Sequence, residues 1–99
     1  MNNQETRINV LLSIQRALWG HIYPSIRAIA VGFIDRKKLI VICYLDKEPD
    51  EEDNENLNDI TGEVCADIEF TEVEERCVFT LEPFSKLDNL DSWVYIRKE

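Results

Sequence analysis

The densest chemistry in this 99-residue chain is carboxylate. The run Asp46-x-Glu48-x-Asp50-Glu51-Glu52-Asp53 offers hard oxygen ligands to a divalent cation. A calcium loop needs carboxylates at alternate positions, a glycine at the bend and a terminal Glu. Here the glycine is missing and Pro49 interrupts, and a helix start accounts for the acids without an ion. Zinc is disfavoured too, because His21 and the widely spaced Cys43, Cys65 and Cys77 share no ligand spacing. No metal or cofactor is expected.

Nucleophilic chemistry fares no better. No serine lies in a G-x-S-x-G turn, and no glycine loop resembles a phosphate cradle. His21, the single histidine, follows Gly20 where a helix should end, so it reads as a C-terminal cap. The cysteines sit among apolar neighbours, which suits small buried hydrophobes and raises a thiol's pKa. Their odd number and lack of C-x-x-C suggest reduced thiols. Among twenty acidic residues, pairs suited to acid–base work arise by chance. An enzyme is not expected.

What remains is charge as a binding surface. Between Asp46 and Glu75 stand fourteen acidic residues and one basic one, Lys47. The rest of the chain holds six acidic and ten basic residues, within a net charge of -9. Such a field repels phosphate, so nucleic acid and anionic membranes are poor partners, and it speeds encounter with a basic protein. Glu48, Asp50, Glu51, Glu52, Asp53, Glu55 and Asp59 form the candidate contact set. Glu63, Asp67, Glu69, Glu72, Glu74 and Glu75 extend it. Trp19, Tyr23 and Trp93 are candidate anchors, since exposed aromatics beside a charged rim suit an interface.

The elements that must position these residues follow from periodicity. A helix is predicted over Asn3–Trp19, with Ile8, Leu11, Leu12, Gln15 and Leu18 in helical period and Gly20 as its stop. Strands are predicted over Ser25–Asp35 and Leu39–Leu45, apolar on both sides and joined by a short polar turn as an antiparallel hairpin. A second helix spans Asp50–Asp67. Asp50 is its N-cap, Asp53 reaches back in a capping box, and Leu57, Ile60, Val64 and Ile68 form the apolar stripe. Gly62 inside it suggests close packing on the sheet. A strand over Glu72–Leu81 places Cys77, Phe79 and Leu81 on one face. A fourth over Ser92–Lys98 places Val94 and Ile96 on one face and Trp93, Tyr95 and Arg97 on the other. The order α-β-β-α-β-β predicts one α+β domain over residues 1–99, with a mainly antiparallel four-stranded sheet formed by two hairpins and covered by helices. Strand order stays open.

At 44% apolar residues with three Gly and three Pro, the chain is neither disordered nor collagen-like. No apolar run could span a bilayer. The polar stretch Met1–Thr6 lacks the features of an export signal, so a cytoplasmic protein is expected.

Several runs together resemble a family. They are Ile14-Gln15-Arg16-Ala17-Leu18-x-Gly20 and Pro24-x-Ile26-Arg27-Ala28, then Tyr44-x-Asp46-x-Glu48-Pro49-x-Glu51-Glu52-Asp53. Gly62-Glu63-Val64-x-Ala66-Asp67 and Val94-Tyr95-Ile96-Arg97-Lys98-Glu99 complete the set. Across nearly the whole chain this resembles small acidic bacterial immunity proteins of contact-dependent growth inhibition and related polymorphic toxin systems. The resemblance implies a protein that binds and neutralises a cognate toxin domain, often a nuclease, without catalysis. It assigns no contact residue. The competing expectation is a structural or regulatory domain that forms a homodimer through a strand edge or hairpin.

Overall fold

The computed structural model describes residues 3–99. Met1 and Asn2, part of the polar stretch considered above, lie outside them. Six main elements follow in the predicted order: α1 (Asn3–Ala17), β1 (Ile26–Ile34), β2 (Lys38–Leu45), α2 (Glu51–Asp67), β3 (Glu72–Phe79) and β4 (Ser92–Ile96).

The sheet order is β3-β2-β1-β4. β1 and β2 form the expected antiparallel hairpin, and β4 adds antiparallel to the other side of β1. β3 instead runs parallel to β2, from Lys38 beside Glu72 to Leu45 beside Phe79. The sheet is therefore mixed, with two antiparallel pairings and one parallel. The cause is α2, a crossover that carries the chain back to the end where β2 began. β3 and β4 occupy opposite edges, so the second hairpin expected from the sequence does not form.

Both helices pack on one face of the sheet. Ser13 and Arg16 meet Asp67, while His21 meets Asn56, so α1 and α2 run antiparallel. Val10, Ile14, Ala17 and Leu18 from α1 and Leu57, Ile60 and Val64 from α2 enclose Ile29, Val31, Val41 and Cys43. Gln15 donates to the Val94 carbonyl at 2.9 Å and ties α1 to β4.

The opposite face is covered by chain rather than by a helix. Along β1 the residues on that side are small: Ala28, Ala30 and Gly32. The segment Phe84–Leu90 lies against them, and Phe84, Leu87, Leu90 and Trp93 pack around Ala28, Ala30, Ile42 and Tyr44. At Gly32 the approach is so close that a Cβ would stand 3.0 Å from Leu90 Cβ.

Two irregularities set side-chain direction. Between Ile26 and Ala28 β1 advances two residues while β2 advances one. Arg27 is the extra residue of this bulge. Arg27 is buried, 4% exposed, and its guanidinium pairs with both Glu99 carboxylate oxygens at 2.9 Å. It also donates to the Thr80 and Glu82 carbonyls and lies 4.8 Å from the Phe84 ring centre. One side chain thus joins β1 to the end of β3 and to the last residue. The second irregularity is in β4: Ala30 pairs with Trp93 but Ile29 pairs with Tyr95. Trp93 and Tyr95 therefore lie on opposite faces, not on the shared face that strict alternation predicts.

Candidate functional site

The acidic segment sorts by neighbourhood. At the start of α2 the capping box forms as expected. Asp53 N–H donates to Asp50 Oδ1 at 3.0 Å, and Asp50 N–H donates to Asp53 Oδ2 at 2.9 Å. Asp53 is only 4% exposed and also accepts from the Tyr23 hydroxyl and the Lys47 ammonium. Burial pushes its carboxyl up, yet the bonds from Lys47, Tyr23 and the Asp50 amide outweigh this and hold it at about 2. Burial and the same carboxylate push the Tyr23 phenol up. Asp53 and half-buried Tyr23 thus build the helix start, and Lys47 neutralises one carboxylate inside it.

Other acids are neutralised in place. Asp46 pairs with Arg97 at 2.8 Å, Asp67 with Arg16 at 2.9 Å, and Glu74 with Lys38 at 3.2 Å. Glu75 accepts from the Thr61 hydroxyl. The outer face of α2 is different. Glu51, Glu52, Glu55, Asp59 and Glu63 are all exposed. Among the described residues none of the five takes part in an ion pair. Glu48 is exposed just before them, and Asp50, also exposed, lies 3.5 Å from Lys47 Nζ.

The aromatic candidates separate. Trp19 is 78% exposed at the end of α1, on the same side of the sheet as α2. Trp93 lies beyond the sheet, half-buried, with its ring 5.8 Å from Tyr44 and 6.3 Å from Phe84 in edge-on contacts. The sheet stands between it and the acids of α2. His21 Nδ1 lies 2.8 Å from the Ala17 carbonyl and Gly20 has φ +81°, the left-handed stop that the sequence suggested.

Two surface residues escaped the sequence reading. Ile8 and Leu12, placed there on the apolar stripe with Leu11 and Leu18, are 50% and 59% exposed. The buried stripe is Val10, Ile14, Ala17 and Leu18, with Thr6 and Ser13. α1 carries apolar residues on two opposite sides, and periodicity does not choose between them. The small neighbours Ser13 and Ala17 mark the side that can approach α2 closely. Gly62 is likewise exposed, with no atom within 4 Å of where a Cβ would stand, so it makes no close contact with the sheet.

No cluster of three or more His, Cys, Asp or Glu suited to a metal occurs among the described residues. All three cysteines are free. Cys43 and Cys77 are neighbours in register on β2 and β3. The contact with Cys77, with burial, pushes the Cys43 thiol up, and the same contact holds Cys77 down. No helix among the described residues is long and apolar enough to cross a membrane.

The chain's class is that of the immunity proteins, which act against a toxin. Within that class the match is to the MafI2 immunity protein family over residues 7–99, all but the first six, and the chain belongs to it. No curated protein matches the chain.

Proposed function

We propose that this immunity protein neutralises its toxin by occlusion, using the acidic face of α2 to engage a basic surface on the toxin. The observation that carries this reading is the set of five exposed, unpaired carboxylates at Glu51, Glu52, Glu55, Asp59 and Glu63. Helix-dipole compensation accounts for acids in the first turn only. Glu55, Asp59 and Glu63 lie beyond it. Each is also four residues from another acid of the same face, a spacing that costs about 0.2–0.5 kcal/mol per like-charged pair. A field of this kind raises encounter rates with a cationic partner by roughly 10-fold to 1000-fold.

A nuclease of the contact-dependent or polymorphic toxin type fits best, since a phosphate-binding cleft must be basic and an acidic helix can fill it. Binding alone suffices, with no catalysis and no cofactor, and the cytoplasm of the producing cell is where it would act. Glu48 and Asp50 border the contact set, whereas Asp53 and Tyr23 support it from beneath.

The test begins with tagged protein captured from its own strain. Any recovered protein is then expressed alone and with this chain. A toxin arrests growth alone and is silenced by co-expression. Reversal of Glu51, Glu52, Glu55 and Asp59 to Lys spares the capping box and should slow association by about 10-fold or more and flatten its salt dependence. An unchanged association rate removes the acidic face from the mechanism.

A further inference from the structure

α1 presents a second surface that the acidic reading does not use. Ile8 and Leu12, four residues apart, lie on one side of α1, and Trp19 stands in the turn two residues past its end. They are 50%, 59% and 78% exposed. Single exposed apolar residues are ordinary, but two on one side of a helix and a Trp in the turn that follows it call for an occupant.

The patch does not stand alone. α1 and α2 lie side by side on the sheet, and a groove between them is lined by Arg16 and Ala17 from one helix and by Glu63 and Ala66 from the other. The Arg16–Asp67 ion pair bridges the same groove. On the far side of that groove rises the unpaired acidic face with Asp59 and Glu63. The helical layer is thus one continuous surface, with an apolar stripe on one side and a carboxylate ridge on the other. α1 itself is close to neutral, with Glu5, Arg7 and Arg16 its charged residues.

We infer that the Ile8–Leu12–Trp19 stripe is the apolar half of the toxin-docking surface. The partner it fits is a protein patch with an apolar centre bordered on one side by Lys and Arg. This rests on the immunity reading above and adds to it a second, chemically distinct half. Charge complementarity selects this occupant. Whatever covers the stripe must also face the ridge, and a second copy of a chain with net charge -9 meets it less well than a cationic toxin. An anionic membrane is repelled by the same ridge. The two halves have different work. Charge on the ridge governs encounter, and desolvation of Trp19, Leu12 and Ile8 governs how long the complex lasts.

That division is measurable with the toxin identified by the growth-arrest experiment. One variant carries Ile8→Gln, Leu12→Gln and Trp19→Gln; a second carries Trp19→Ala alone. All three side chains are exposed, Gln suits the helical positions 8 and 12, and Trp19 lies in a turn, so unfolding transitions should stay close to wild type. The triple variant should release toxin about 100-fold faster at an unchanged salt dependence of association, with the single variant intermediate. The Lys-reversal variant should show the converse, slow association and little change in release. Wild-type release from the triple variant overturns the assignment of the stripe and leaves the immunity reading intact. Failure of the wild-type chain to bind or silence any toxin overturns the immunity reading and this one with it. Sedimentation of the toxin-free protein closes the remaining alternative. A dimer that the triple variant abolishes gives the stripe to a second copy and overturns the toxin assignment.

Discussion

Asp53 belongs to the acidic run by sequence but to the core by position. Its carboxylate accepts from the Asp50 amide in the capping box, holds the Tyr23 hydroxyl and neutralises Lys47. Asp53→Ala removes all three bonds and should destabilise the fold by roughly 2–3 kcal/mol, read from urea unfolding. The pH dependence has a definite sign. Asp53 and Glu99 are each held at about 2, against ordinary values of 3.8 and 4.5; for Glu99 the cause is first the Arg27 guanidinium. The native state thus favours their charged forms. The stability they contribute is complete above about pH 4.5 and is lost as pH falls toward 2. The wild-type protein should weaken across that window, and Asp53→Ala should weaken less steeply. An unchanged acid limb in the variant would exclude Asp53 as a source of acid sensitivity.

α2 is stabilised at its start and strained along its outer face. The capping box and first-turn acids complement the dipole, whereas Glu63 and Asp67 near the other end do not, and α2 has no basic residue of its own in the last turn. Arg16 from α1 supplies one. Gly62 adds a further weakness, because it is exposed, within a helix, and makes no contact that requires a missing side chain. Gly62→Ala should therefore raise stability by about 0.5–1 kcal/mol, measurable as a higher urea midpoint at constant m-value. A loss of stability would show that the site is tighter than its geometry indicates.

At the scale of the molecule, charge opposes folding. No ion pair among the described residues offsets repulsion among the five carboxylates on the outer face of α2, so added salt should stabilise the fold. Between about 20 and 300 mM sodium chloride the wild-type free energy of unfolding should rise by roughly 1 kcal/mol, as repulsion is screened over a shortening Debye length. The Lys-reversal variant should respond less. Equal responses would mean that the acidic face does not strain the fold. In the proposed complex the same surface meets the toxin, so the cost at this scale and the attraction between molecules have one origin.

Much of the architecture was legible in local pattern. The strand expected over Ser25–Asp35 forms as Ile26–Ile34, the short polar turn ends where β2 begins at Lys38, and the Asp50/Asp53 capping box starts α2, because each is encoded by residues close along the chain. The exposed acidity of α2 was legible for the same reason, since charge cannot be buried unpaired and the opposite stripe is apolar. Other features were not local. The parallel placement of β3 depends on where the crossover through the seventeen-residue α2 returns the chain. The separation of Trp93 from Tyr95 depends on a one-residue bulge against β1. The choice between the two apolar sides of α1, and with it the exposure of Ile8 and Leu12, depends on which side meets Asp67 and Val94, more than fifty residues away. The elements and the charge of this protein are written in local order, because they follow from neighbours along the chain. Which carboxylates stay unpaired and which apolar residues stay uncovered is settled only when the chain closes, because burial and ion pairing bring together residues far apart in it.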